Sequence, residues 1–208
     1  MFVVTRESGP VLTNGYLLVD DNRNAVIIDT PIGIWDLFKP IIKEKGLELK
    51  AILLTHTHWD HTFDANKISK ENNIHVYAHQ LDQFRLKEPN LHTVYKLPYN
   101  IDPVDNIITV KDGDILEFGG INLKVIHTPG HTEGGVCYVD EKNKLVFTGD
   151  TLFRGTVGRT DFPGGDSEQL FNSIRTKIIS LPLDFIIYSG HGPISTIEHE
   201  IKNNPYIN

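Results

Sequence analysis

Within Thr55-His56-Thr57-His58-Trp59-Asp60-His61 stand three imidazoles and a carboxylate, the donor types that bind divalent cations. If the chain is extended there, side chains two apart point the same way, so His56 and His58 face one pocket as a pair. Asp60 and His61 are adjacent, and a turn can aim both at a neighbouring position. Imidazole and carboxylate together suit zinc, and also iron or manganese, because ligand type alone does not choose the metal. One isolated histidine would carry no such argument, since most are ordinary surface residues.

The donors need elements to position them. Ala51-Ile52-Leu53-Leu54, just before the cluster, reads as a buried strand. Three further apolar runs end in the same chemistry: Val125-Ile126 before His127 and His131, Leu145-Val146-Phe147 before Asp150, and Ile186-Ile187-Tyr188 before His191. Glycines beside these donors allow the tight turns that point a side chain back over a sheet edge.

Taken in order, residues 2–5, 16–19 and 25–28 form an antiparallel meander, joined by Asn14-Gly15 and by the polar stretch 20–24. A helix is expected from Asp36 to Lys45, with Pro40 near its first turn, Gly46 as its cap, and Leu37, Phe38, Ile41 and Ile42 buried. Asp64 caps a helix to about Asn72, and a strand follows over 74–78. His75 and His79 in that region read as structural or surface residues. Residues 89–105 contain Pro89, Pro98 and Pro103 and read as a long irregular loop of the kind that serves as a lid, placing His92, Tyr95 and Tyr99 as substrate contacts. Strands recur over 107–110, 115–118, 121–126, 136–139, 144–147 and 184–188, with a helix from Asp166 to Ser180 opened by the capping pair Asp166 and Gln169. Each half is thus a β-meander followed by a helix, which predicts an α+β fold with two sheet layers and helices outside, in a single domain over 1–208.

Composition narrows the function classes. At 208 residues with 39% hydrophobic and 23% charged residues, the chain can bury a substantial core. The net charge of -7 and the lack of a Lys/Arg cluster argue against nucleic acid as a partner. No run approaches the ~20 apolar residues of a membrane span, and the N-terminus has no leader pattern. Cys137, the lone cysteine, reads as a core thiol in a reducing compartment. A soluble cytoplasmic protein acting on a small molecule is expected, its oligomeric state open.

Together these motifs resemble the metallo-β-lactamase superfamily, which implies a four-layer αββα sandwich with a metal site at one sheet edge. Gly149-Asp150-Thr151-Leu152-Phe153, followed by Gly158-Arg159-Thr160-Asp161-Phe162-Pro163, resembles the glyoxalase II group of hydroxyacylglutathione hydrolases, in particular short members without the C-terminal helical domain. The resemblance implies that His56, His58 and His131 hold one divalent ion, Asp60, His61 and His191 a second, and Asp150 bridges them; zinc is favoured, with iron or manganese as alternatives. It implies thioester hydrolysis, of the S-lactoylglutathione type, by a hydroxide shared between the ions, with Asp60 orienting the nucleophile. His127 then supports the site from outside. Arg159 either binds a substrate carboxylate or pairs with Asp161 to brace the loop behind Asp150; Arg154 and Tyr138 are further candidates for substrate contact. The main alternative is a persulfide dioxygenase with one Fe(II) on His56, His131 and Asp150. That group usually has cysteine where Val157 stands here, which favours the hydrolase. Hydrolysis of another ester or a lactone is a lesser alternative.

Overall fold

The computed structural model describes residues 1–207. The first sheet comprises β1 (Phe2–Ser8), β2 (Thr13–Val19), β3 (Asn24–Ile28), β4 (Glu48–Leu53), β5 (His75–His79) and β6 (Ile107–Val110), in sequence order. Its first three strands are antiparallel and the last four run parallel. The second sheet contains β7 (Ile115–Phe118), β8 (Ile121–His127), β9 (Val136–Asp140), β10 (Leu145–Gly149), β13 (Ile186–Ser189) and β14 (Ser195–Thr196), ordered β14-β13-β10-β9-β8-β7. A two-stranded hairpin of β11 (Leu152–Phe153) and β12 (Thr156–Val157) follows β10. The helices are α1 (Ile34–Lys45), α2 (Trp59–Thr62), α3 (Ala65–Asn72), α4 (Gln83–Lys87), α5 (Ser167–Ser173) and α6 (Ile197–Asn203).

Strand periodicity sorts the apolar residues into three cores. Tyr16, Leu18, Val26, Ile28 and Leu53 of the first sheet meet Leu123, Val125, Tyr138 and Phe147 of the second. The alternate residues Leu17, Val19, Ile27 and Ile52 pack outward against Ile34, Trp35 and Phe38 of α1 and Ile68 of α3. On the far side Cys137, Val139, Val146 and Ile187 pack against Ile178 and Ile197. Both faces of each central strand are covered, which is why those segments read as continuous apolar runs rather than alternating ones. The architecture is the αββα sandwich. No helix of the described residues is long and apolar enough to cross a membrane.

Several boundaries differ from expectation. Helix α1 starts at Ile34, after Gly33 in a left-handed conformation, so Pro40 falls in the helix middle. It is exposed there, and the carbonyl it leaves without an intrahelical partner can be hydrated. Leu37 is 41% exposed, and the buried face is Ile34, Trp35 and Phe38, with Ile41 and Ile42 partly buried against the same core. The Asp166 helix gives way to a wider π turn over Ile174–Ile178. Helices α4 and α6 and the β11–β12 hairpin have too few periodic apolar residues to stand out in sequence. Because Phe38 is fully buried between α1 and the first sheet, Phe38→Ala is expected to lower stability by ~3–5 kcal/mol, read by urea melting, without changing metal content.

Candidate metal centre

Strand direction explains why the donor segments converge. Strand β9 is antiparallel to both β8 and β10, and β10 is parallel to β13, so β8, β10 and β13 all end at one rim. His131, Asp150 and His191 follow those ends. From the facing sheet β4 delivers His56 and His58 in the segment that follows it, and the short helix α2 then carries Asp60 and His61. Donor atoms of His56, His58 and His131 lie within 4.8 Å of one another, as do those of Asp60, His61 and His191. Asp150 stands between the two groups. Its Oδ2 is 3.5 Å from Nε2 of His131 and 3.5 Å from Nε2 of His191, while Oδ1 is 3.3 Å from Nε2 of His61. Oδ2 of Asp60 is 3.4 Å from Nε2 of both His61 and His191. Donors about 2.1 Å from a shared cation are themselves roughly 3.0–3.5 Å apart, so this spacing fits ligation.

Supporting hydrogen bonds set the tautomers. His131 donates from Nδ1 to the Arg159 carbonyl at 2.7 Å, and His61 from Nδ1 to Asp29 at 2.9 Å. The Thr55 hydroxyl donates to Asp29 at 2.7 Å, so it accepts from Nδ1 of His56 at 3.2 Å. In each case Nε2 is turned into the site. Among the described residues, His56 Nε2, His61 Nε2 and Asp150 Oδ1 are buried with no hydrogen-bond partner. Leaving such atoms unmatched costs about 1–3 kcal/mol each, which a bound cation relieves. Burial, aided by the His61 and His131 rings, holds His56 well below its usual pKa, in its ligating neutral form. Burial also opposes charge on Asp150, but His61 and the other imidazoles outweigh it and keep the carboxyl ionised. His61 shows the reverse balance: burial lowers its pKa, while Asp60, Asp150 and Asp29 raise it well above the ordinary value. The centre therefore attracts positive charge despite its burial. The residues fit divalent metal.

Residues 8–191 match the family model described as the metallo-beta-lactamase superfamily. The chain belongs to that superfamily. Hydroxyacylglutathione hydrolase GloC of Haemophilus influenzae is 40% identical over 198 residues, covering 94% of this chain and 92% of that protein. Among solved structures, the BLEG-1 B3 metallo-beta-lactamase superposes with a TM-score of 0.92 at 35% identity, covering 100% of both chains. TTHA1623 in a di-iron-bound form gives 0.86 at 34% identity, covering 99% of this chain and 100% of that one. A metal-dependent hydrolase follows from the superfamily and these relatives.

Above the superfamily's metal rim lies a cavity of about 220 Å³ whose remaining wall includes Val11, Trp59, His92, Val94, Tyr95, Arg159 and Phe162. Tyr95 and Arg159 thus stand where a substrate contact would be. The Arg159 guanidinium makes two 2.7 Å bonds to Asp161 and lies 3.8 Å above the Phe162 ring, the bracing arrangement. Tyr99 does not line this cavity: its ring packs on Phe63 and Trp59, because an aromatic next to exposed apolar rings gains more by covering them. Tyr138 is fully buried and donates to the Leu54 carbonyl, and Arg154 is exposed at the hairpin turn outside the cavity lining, so neither reaches a substrate there. His127 bonds the Glu133 carbonyl at 2.9 Å and stacks on His79, outside the donor set. Sequence reasoning gave no role to three groups that support the site. Asp29, at a left-handed φ of 56°, binds Thr55 and His61; Thr13 donates to Asp60 at 2.8 Å; and Trp59 forms a wall. Asp29 did end an apolar run as the donors do, the one signal that could have found it.

Proposed function

We propose that this protein hydrolyses thioesters of the hydroxyacylglutathione type, S-lactoylglutathione being the reference substrate, with two divalent ions held by His56, His58, His131, Asp60, His61, His191 and Asp150. The observation that carries this reading is the placement of Asp150 between two three-residue donor groups, at the floor of a cavity with an apolar wall. Seven donors exceed what a single closed four-coordinate site uses. When bound, a pair of divalent ions lowers the pKa of a shared water toward neutrality and polarises a substrate carbonyl.

The chain's own residues do the remaining work. Asp60 uses Oδ2 for Thr13, His61 and His191, which leaves its other oxygen to accept the nucleophile's proton. Trp59 and Phe162 exclude water and hold the substrate's apolar part. Arg159, tied to Asp161, braces the cavity wall on Phe162, and Tyr95 closes the same side. A small-molecule partner suits a cavity of this size.

Metal analysis of the purified protein, combined with two assays, tests the reading. About two ions per chain with thiol release from S-lactoylglutathione is the expected result. One ion per chain, oxygen uptake with glutathione persulfide and no thiol release would replace it with the dioxygenase reading.

A further inference from the structure

Asp82 sits in the turn between β5 and α4, is completely buried, and belongs to no donor group. Its carboxylate nevertheless joins the two loops that carry one of those groups. Oδ2 accepts from the Thr57 backbone N–H at 3.1 Å and from the Thr132 hydroxyl at 2.9 Å. Oδ1 accepts from the Gly134 N–H at 2.7 Å and from Arg85 at 3.0 Å. The Asp82 carbonyl accepts from the Thr57 hydroxyl at 2.9 Å. Thr57 lies between His56 and His58, and Thr132 follows His131. A Cβ on residue 134 would come within 2.7 Å of the Asp82 carboxyl, so glycine there permits the close approach.

The other donor group hangs on different supports. Asp60 is held by Thr13, His61 by Asp29, and the loop of His191 by Asn14, which donates to the Ser189 and Gly192 carbonyls at 2.9 Å. Asp82 contacts none of these. A carboxylate whose two oxygens are each shared between separate donors fixes their separation more tightly than single hydrogen bonds would. Arg85 neutralises it and extends the brace to Glu133 at 2.7 Å and to the Pro163 carbonyl at 3.2 Å.

We propose that Asp82 is a positioning residue for the His56/His58/His131 metal position alone, setting the affinity of that position while the Asp60/His61/His191 position is independent of it. The inference rests on the two-position reading above.

The test is Zn2+ binding to the metal-free full-length protein, by competition with a chromophoric chelator, alongside thermal melting of the same metal-free samples. His191→Ala isolates the first position and His58→Ala the second. Adding Asp82→Asn to His191→Ala is expected to weaken Zn2+ about 10–100-fold, the range for groups that orient a ligand. Adding it to His58→Ala should leave the affinity within about 3-fold, because Asp82 bonds none of the groups that hold Asp60, His61 and the His191 loop. Thr132→Val, which deletes one bond at constant volume, should weaken the first position in the same selective way and carries the test if Asp82→Asn does not fold. Equal weakening at both positions, or a lower melting temperature with both affinities unchanged, overturns the proposal and makes Asp82 a purely structural brace. A wild-type chain that takes up only one Zn2+ refutes the two-position reading itself, and this inference with it.

Discussion

If two ions act on a thioester as proposed, Asp150→Ala is expected to strip metal from both positions and lower turnover by well over the ~100-fold that marks the loss of a merely supporting group. The reason is placement. Asp150 is the one donor whose two oxygens approach histidines of both groups, with His131 on one side and His61 and His191 on the other. Removing it takes one negative charge from a centre whose other nearby carboxylates are Asp60 and Asp29, and Asp29 is already committed to Thr55 and His61. His191 is instructive here. Burial lowers its pKa, yet Asp150 and Asp60 together lift it to about 9, a measure of how strongly these carboxylates stabilise positive charge at the rim. Asp150→Asn keeps the volume and loses the charge, so it separates cation binding from packing. It should fold like the parent and bind far less metal, measured by elemental analysis and by thiol release. Full metal content and turnover in either variant would remove Asp150 from its bridging role.

How much of this was legible in sequence depended on range. The four donor segments could be read because each follows an apolar run closely, and the strand ends the runs predict are where the structure places the donors. The two expected sheets also hold, since Leu17, Leu18, Ile27 and Ile28 are buried on alternate faces by two different layers, but strand 107–110, read with the second half, pairs parallel with β5 in the first sheet. What could not be read is non-local or depends on side-chain direction. Asp29 and Asp82 each serve the His56 segment from about 25 residues away, as isolated acidic residues in unrelated contexts. Helix α1 begins two residues early because a left-handed Gly33, and not Asp36, starts it. Helix α6 buries Ile197 and covers little else, so its periodicity is weak; its Glu200, fully buried, instead binds Ser195, the Gly155 N–H and Asn204. Tyr95 and Tyr99 share a loop and a residue type, and only one faces the cavity. Composition has no means of telling them apart.

Gly190→Ala should be nearly as damaging as loss of Asp150, although it removes no donor. A Cβ there would lie 2.1 Å from Oδ1 of Asp150 and 2.8 Å from Cε1 of His61, contacts too short for the atoms to stay in place. Neither neighbour can yield cheaply. His61 is pinned by Asp29 at Nδ1, and its carbonyl accepts from the Thr30 N–H at 2.7 Å. Nor can the backbone retreat, since Gly190 donates to the Gly149 carbonyl at 2.8 Å while its own carbonyl accepts from the Asn14 N–H at 2.8 Å. Strain must therefore appear as displaced ligands, with an overpacking cost of about 1–3 kcal/mol and a loss of metal affinity of at least ~100-fold. Gly190 is not among the glycines at positive φ, so an alanine backbone fits and the effect is steric. Gly113→Ala supplies the opposite case. At φ 84° with nothing within 4 Å, it should cost roughly 1–2 kcal/mol in backbone strain while leaving metal content and turnover unchanged. If Gly190→Ala instead behaved like Gly113→Ala, lowering the melting temperature but binding metal normally, then the close packing of that glycine against Asp150 and His61 would not be what keeps the two ligands in register.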